Sequence, residues 1–458
     1  MIQFILNNKS IQTDLPQGMT VLDFVRYQKQ LMGTKIGCRE GDCGACTVLV
    51  GELSNAGEVV YRSMTSCLLP LANIQNKHVV TVEGINQQEG LTPIQSALVE
   101  ENGTQCGFCT VGFVMSLTGF CLNTEGSAIA AIDGNICRCT GYKSIERAAK
   151  RLTDLVNQKE KGQTTLGFAI DNQIVPSYFS TIKLKLVELN KHKRVDTPTH
   201  NIVGGGTDLY VQKHDEMPHI LSKPLFDDKI LRGVKWENGW FSIGASATVS
   251  DLKQSPEMNA AFPNLQKHLK LVSSTPIRNM ATIGGNLVNA SPIGDMTVFL
   301  LALNATISLK NEEGEVREIA LKDFYQGYKT LDKTADEILT SIRFHQPDGH
   351  SFFNFEKVCK RTHLDIASVN TAISLKTEEN TIIEAHVAVG GVAPIPLYLS
   401  KTSDFLKNKE MTEGVILEAH DILQTEISPI SDVRGSADYK RLLARQLFKA
   451  HFVMFFAT

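Results

Sequence analysis

The sequence predicts an α+β chain of several domains, and three observations carry this. Its 458 residues correspond to about three domains rather than one core. Nine of its ten cysteines fall within the first 139 residues, so one chemistry is confined to the first third of the chain. Beyond them, strand-like and helix-like patterns mix around two glycine-rich loops. Composition is that of a globular protein, with 42% hydrophobic and 21% charged residues. A formal charge of −3 offers no electrostatic footprint for nucleic acid. The start Met1-Ile2-Gln3-Phe4-Ile5 lacks the basic and apolar pattern of a secretory leader. No apolar run reaches the roughly 20 residues that span a bilayer, so no membrane partner is expected. A cytoplasmic location follows, where thiols stay reduced and clustered cysteines point to metal before disulfides.

Residues 1 to about 80 begin with Ile2, Phe4 and Leu6 on one face of a half-buried strand, turned at Asn7-Asn8 into a second strand around Ile11. Thr20 reads as the N-cap of a helix through Leu31, with Asp23 at the capping-box position and Gly33 as terminator. Then comes Cys38-x4-Cys43-x2-Cys46, followed by a strand Thr47–Val50, and Cys67 follows a strand Val59–Tyr61. This is the plant-type [2Fe–2S] spacing. A short loop must curl so that thiolates and backbone N–H groups face the cluster sulfurs, and Gly37, Gly41 and Gly44 allow tight turning and close approach. A structural zinc site is the alternative, but zinc prefers paired C-x2-C knuckles, which Cys38 and Cys43 do not form.

Residues 81–157 read as a small four-helix bundle carrying two cysteine loops. Thr92 caps a first helix, with Pro93 at N1 and Gln95 completing a capping box; Asn102-Gly103 ends it. A second helix runs Val111 to Leu122 after Gln105-Cys106-Gly107-Phe108-Cys109. A third precedes Gly134 to Tyr142, which contains Cys137-Arg138-Cys139. A fourth, Ser144 to Val156, puts Ile145, Ala148, Ala149, Leu152 and Leu155 on one face. Cys106, Cys109, Cys137 and Cys139 supply four thiolates, enough for one further cluster. Cys121, within an apolar helix, reads as core, and Cys359 has no nearby partner.

The two quartets together resemble the iron–sulfur portion of the molybdenum hydroxylases, the family of xanthine dehydrogenase, aldehyde oxidase, and the carbon monoxide and nicotinate dehydrogenases. The resemblance implies a β-grasp, plant-type ferredoxin domain over 1–80 and a helical [2Fe–2S] domain over 81–157. Cys38, Cys43, Cys46 and Cys67 would hold one cluster, and Cys106, Cys109, Cys137 and Cys139 the other.

Residues 158–175 are polar and glycine-containing at their start and read as a linker. Beyond lie Ile202-Val203-Gly204-Gly205-Gly206-Thr207-Asp208-Leu209 and Thr282-Ile283-Gly284-Gly285-Asn286, with Asp295 downstream. Neither is G-x-G-x-x-G nor a Walker loop, and a glycine pair alone is usually a tight turn. Together they fit two backbone nests for a pyrophosphate, with Thr207, Asn286 and Asp295 adding side-chain hydrogen bonds. A dinucleotide such as FAD has that diphosphate, and a flavin converts between one- and two-electron chemistry.

The run from Pro276 to Asn286, continued by Ala290-Ser291-Pro292 and Asp295, is similar to the FAD domain of the same family. The resemblance implies an α+β FAD-binding (PCMH-type) domain of two subdomains over 176–348. Both glycine loops and Asp295 would contact the cofactor, and Val272, Leu339 and Lys357 match further contact positions. Val272 stands where some relatives place an aromatic. Residues 349–458, with strands at 351–355, 373–375 and 386–391 and helices at 415–423 and 439–455, resemble the family's α+β flavoprotein C-terminal domain. There Lys360 to Asp365 and Ser431 to Tyr439 match its patterns, and Asp432 and Arg434 read as a structural ion pair.

The domain order is similar to that of the iron–sulfur/FAD subunits of the xanthine dehydrogenase branch. It implies a molybdenum-binding large subunit as partner, in a heterotetramer of two small and two large chains. Electrons from hypoxanthine or xanthine oxidation would enter at the Cys106 quartet, with Gln105 near the molybdopterin edge. They would then pass to the Cys38 quartet, FAD and NAD⁺, with no acid–base catalyst needed on this chain. The alternatives are the same role in an aldehyde, nicotinate or carbon monoxide dehydrogenase, or an autonomous electron-transfer module.

Overall fold

Alternation of Ile2, Phe4 and Leu6 does produce a strand, β1 (Ile2–Leu6), paired antiparallel with β2 (Lys9–Thr13) across a turn in which Asn7 is left-handed. The computed structural model describes residues 1–458 except 124–125, 192–198, 200, 362–363 and 458. Three more strands complete the sheet: β3 (Thr47–Leu53), β4 (Val59–Thr65) and β5 (His78–Val80), in the order β2-β1-β5-β3-β4. β5 runs parallel to β1 and antiparallel to β3, the mixed pairing of a β-grasp.

Thr20 caps the expected helix, its Oγ1 accepting from the Asp23 amide at 3.1 Å. The helix does not reach Leu31. Val21–Asp23 widens into a π-turn over Phe24–Gln28, and Gln30 is left-handed. Arg26 explains the early stop: its Nη1 donates to the carbonyls of Met32 and Thr34, drawing the following chain back along the helix.

The helical segment contains Pro93–Glu100, Thr110–Asn123, Ala128–Ala131 and Lys143–Val156. Thr92 and Gln95 form the full capping box. Helix Thr110–Asn123 is buried from Gly112 to Leu122, and its Phe113, Leu117 and Phe120 share one core with Leu49, Tyr61 and Val80 of the sheet. The expected linker at 158–175 is a correction. It carries helix Thr165–Asp171, capped by Thr164, and Phe168, Ala169, Ile174 and Val175 are buried in that same core. The polar run ends at Gln163, and the apolar spacing after it recurs at helical period.

The chain divides into two compact units, Met1–Pro224 with Ser274–Met280, and Leu225–Ser273 with Ala281–Thr458. The segment expected as one domain, 176–348, thus contributes residues to both units. Residues up to Pro224 pack with the cysteine-bearing segments because Ile182 and Leu186 bury against Ile5, and Tyr210 Oη donates to the Gly18 carbonyl at 2.8 Å.

Besides a two-stranded ribbon of Tyr325–Gly327 and Thr330–Leu331, the second unit holds two five-stranded antiparallel sheets. One has the strand order Val316–Ala320, Thr306–Lys310, Ile338–His345, Trp240–Gly244, Val234–Glu237. The other is built from Ser351–Val358, Val369–Glu378, Thr381–Gly390 and Leu397–Tyr398, with Lys409–Glu410 also pairing with Thr381–Gly390. Helix Asp295–Ala302, buried from Met296 onward, packs on strands Val369–Glu378 and Thr381–Gly390. Helices Glu413–Glu426 and Ala437–Phe456 close the unit. Asp432 pairs with Lys440 at 2.8 Å as well as with Arg434 at 3.9 Å. Of the run Lys360–Asp365, Thr362 and His363 lie outside the described residues.

A buried polar chain ties this unit together. His268 Nε2 donates to Asn354 Oδ1 (3.1 Å), Asn354 Nδ2 to His451 Nδ1 (2.9 Å), and His451 Nε2 to Thr371 Oγ1 (2.8 Å). Burial holds His268 down to about 4 and His451 down to about 3, from an ordinary 6.5. The unfolded chain therefore binds protons first. Stability is complete above pH 6.5 and drains away as pH falls towards 4 and then 3, by about 2 kcal/mol per histidine at pH 5. The unfolding midpoint of wild-type protein should fall clearly between pH 7 and 5, and His451→Asn should flatten that dependence. Identical pH profiles for the two proteins would contradict this account.

Candidate functional site

The plant-type loop follows the π-turn and closes between β3 and β4. Cys46 and Cys67 are buried at 3% and 1% exposure, whereas Cys38 and Cys43 are half-buried. Cys38 Sγ accepts from the amides of Glu40, Asp42 and Cys43 at 3.3 to 3.4 Å. The Cys43 thiol, and with it those amides, overcomes burial and pulls the Cys38 thiol down to about 5. A thiolate-competent sulfur ringed by N–H donors is what a cluster ligand needs. Glycine is required at two places here. A Cβ on Gly37 would stand 2.5 Å from Cys43 Sγ, and one on Gly44, left-handed at φ 69°, would collide with the Gly134 carbonyl.

The second set lies at the surface. Gln105, Cys106 and Cys139 are exposed, Cys109 is half-buried and Cys137 is buried. Cys137 Sγ lies 3.2 Å from Thr140 Oγ1 and accepts from the amides of Cys139 and Thr140. The two loops touch. The Ile136 amide donates to the Cys43 carbonyl (3.0 Å), and Asn135 Nδ2 donates to the Gly44 carbonyl (3.2 Å) while Ser116 holds its Oδ1. Sequence reasoning did not single out Asn135. Its place two residues before a cysteine of the other loop was the available signal.

The thiols come in twos: Cys38 with Cys43, Cys46 with Cys67, Cys106 with Cys139 and Cys109 with Cys137. Among the described residues no three His, Cys, Asp or Glu side chains gather as a single metal ion would require. A [2Fe–2S] rhomb takes two thiolates at each iron, so paired thiols fit it, whereas zinc needs four ligands about one point.

The glycine loops behave differently from each other. In the first, Gly205 and Gly206 are buried, Gly206 is left-handed at φ 80°, and the amides of Gly205, Gly206 and Thr207 have no acceptor among the described residues. Buried N–H groups without acceptors fit an anionic ligand. In the second, Thr282 caps a helix, and the donors are used internally. Ile283 donates to the Ala247 carbonyl, Gly284 to Ala245, Gly285 to Thr282 Oγ1 and Asn286 to the Thr282 carbonyl. Of the two nests expected, the second therefore does not keep its backbone donors open. The second loop offers close approach and Asn286 Nδ2, while Asn286 Oδ1 accepts from Thr297.

Asp295 and Lys357 are partners, Nζ to Oδ2 at 2.7 Å, with the Lys357 side chain 1% exposed. Asn370 Nδ2 donates to the other Asp295 oxygen and Lys357 to the Leu271 carbonyl. Val272 and Leu339 lie buried in the core of the second unit.

Four family models match in order along the chain. They are a 2Fe-2S iron-sulfur cluster binding domain (residues 4–71), a [2Fe-2S] binding domain (81–150), the FAD binding domain in molybdopterin dehydrogenase (182–347) and the CO dehydrogenase flavoprotein C-terminal domain (355–454). Xanthine dehydrogenase of Emericella nidulans is 30% identical over 98% of this chain and 38% of its own length. Xanthine dehydrogenase 1 of Arabidopsis thaliana is 26% identical, over 98% of this chain and 39% of its own. The chain belongs to the molybdenum hydroxylase family. It spans less than two-fifths of the length of these relatives. Among solved structures, carbon monoxide dehydrogenase from Hydrogenophaga pseudoflava aligns with TM-score 0.51 and 26% identity, over 55% of this chain and 87% of that one. Quinoline 2-oxidoreductase from Pseudomonas putida 86 aligns with TM-score 0.50 and 26% identity, over 56% and 88%.

As a molybdenum hydroxylase chain it has two 2Fe–2S domains and an FAD-binding domain, and its role is electron transfer through these cofactors. No helix among the described residues is long and apolar enough to cross a membrane. Cys121 lies fully buried in helix Thr110–Asn123, and burial pushes its thiol up to about 12. Cys359 donates to the Arg361 carbonyl. Neither accompanies another cysteine, so Cys121→Ala and Cys359→Ser should each retain the wild-type iron content; loss of iron from either would contradict this.

Proposed function

We propose that this chain is the iron–sulfur/FAD subunit of a xanthine dehydrogenase, carrying electrons from a molybdenum centre on a larger partner chain to NAD⁺ during hypoxanthine and xanthine oxidation. One observation carries this reading: all four domain models lie in one chain in a single order, and xanthine dehydrogenases align with 98% of it. The carbon monoxide dehydrogenase chain is covered over 87% by 55% of this one, which supports division of the family's parts between chains. On this reading the domains are 1–80, 81–157, 176–348 and 349–458, and the assembly is a cytoplasmic heterotetramer.

Bound clusters supply one-electron steps, and FAD joins these to two-electron hydride chemistry. Cys38, Cys43, Cys46 and Cys67 hold one cluster in a loop closed by glycines and backbone donors. Cys106, Cys109, Cys137 and Cys139 hold the other, where Gln105, Cys106 and Cys139 are exposed to a partner. The amides of Gly205 to Thr207 are assigned to the diphosphate, and Asp295, oriented by Lys357 and Asn370, is assigned to the flavin nucleotide.

Affinity purification of the chain from its native host tests this. A stoichiometric molybdenum-bearing chain and xanthine-dependent NAD⁺ reduction are expected. A different oxidised substrate would move the chain to another branch of the family. A cofactor-loaded chain with no partner would make it an autonomous electron-transfer module.

A further inference from the structure

Directly after Cys38, Arg39 adopts the left-handed backbone conformation, φ 58°, which a long side chain rarely occupies. Its guanidinium is gripped from three sides. Nη2 lies 2.7 Å from Asp23 Oδ1, Nη1 lies 3.1 Å from Asp23 Oδ2, and Nη1 faces His214 Nε2 at 2.6 Å. Asp23 is itself fixed by the Thr20 hydroxyl at 2.7 Å. The pair is three-quarters buried, with side-chain exposures of 28% and 22%. It lines a cavity of about 490 Å³ together with Cys38.

An unfavourable backbone held by a specific ion pair beside a sulfur ligand asks for a reason beyond loop stability, because glycine at 39 would hold the turn without strain. We propose that the Asp23–Arg39 pair sets the reduction potential of the cluster on Cys38, Cys43, Cys46 and Cys67. The inference rests on the assignment of that quartet as cluster ligands. Reduction adds one negative charge to a cluster, so a fixed cation nearby favours the reduced form and a fixed anion disfavours it. With both present the two effects oppose each other, and the balance is set by how rigidly each charge is placed. Partial burial keeps solvent from screening them away.

Redox titration followed by electron paramagnetic resonance tests this, on the full chain with iron content measured in parallel. Arg39→Gly keeps the left-handed turn and leaves Asp23 with only His214 beside it, at 3.8 Å, so that cluster's midpoint should shift to lower potential. Asp23→Asn leaves Arg39 uncompensated, so the shift should be to higher potential. The double variant should return towards wild type, and the other cluster should not move in any of them. Unmoved midpoints, or shifts of the same sign in both single variants, would overturn the proposal. Loss of iron in Arg39→Gly would also overturn it, because the pair would then hold the loop rather than tune it. Absence of a plant-type signal from wild-type protein would instead remove the underlying ligand assignment.

Discussion

Cys43→Ser should remove one of the two clusters, so that iron falls from about four to about two per chain, while FAD remains bound. The change is confined because the second loop bonds the Cys43 backbone and not its sulfur: the Ile136 amide donates to the Cys43 carbonyl. Serine preserves that bond and, with it, the placement of Cys137. Iron analysis, flavin analysis and the resonance spectrum of the reduced protein read all three outcomes. Cys67→Ser should be less clean. A Cβ on Gly206 would lie 3.2 Å from the Leu68 carbonyl, and Asn73 Nδ2 donates to the Gly204 carbonyl, so the first glycine loop rests on the chain just after Cys67. Loss of flavin from Cys43→Ser would show that cluster and flavin sites cannot be separated.

Asp295→Ala should weaken FAD retention and destabilise the second unit, leaving both clusters intact. Asp295 is the counter-ion of an ammonium with a 1% exposed side chain, and removing one partner of a buried pair costs about 3–5 kcal/mol. Asn370 also loses the shorter of its two acceptors, keeping only the Ile293 carbonyl. The double variant Asp295→Ala with Lys357→Met removes both charges and should recover much of the thermal stability, yet not the flavin. Flavin per chain after gel filtration and the unfolding midpoint distinguish the two effects. Unchanged flavin content in Asp295→Ala would count against this site.

Local features were legible because they depend on neighbours in sequence. The Thr92 and Gln95 capping box and the Asn7 turn are short-range patterns, and each forms where expected. The helix after Thr20 was misjudged in length because Arg26 reaches six and eight residues ahead to bond carbonyls of Met32 and Thr34. The linker at 158–175 was misjudged because its polar opening hid Phe168 and Ala169, whose burial depends on a core contributed from elsewhere.

The second glycine loop shows the same division. Its residues read as a nest, but whether an amide is open depends on which carbonyl lies opposite, and here Ala245 and Ala247 occupy two of them. The grip on Arg39 by Asp23 and His214, 16 and 175 residues away, could not be inferred from spacing. The sequence by itself determined the family, the two cysteine spacings and the order of the domains, since spacing and domain order are properties of the chain. Only the tertiary structure decided which thiols stand together, which loop keeps donors open and which charges lie beside Cys38, because each depends on long-range partners that folding brings within hydrogen-bonding distance.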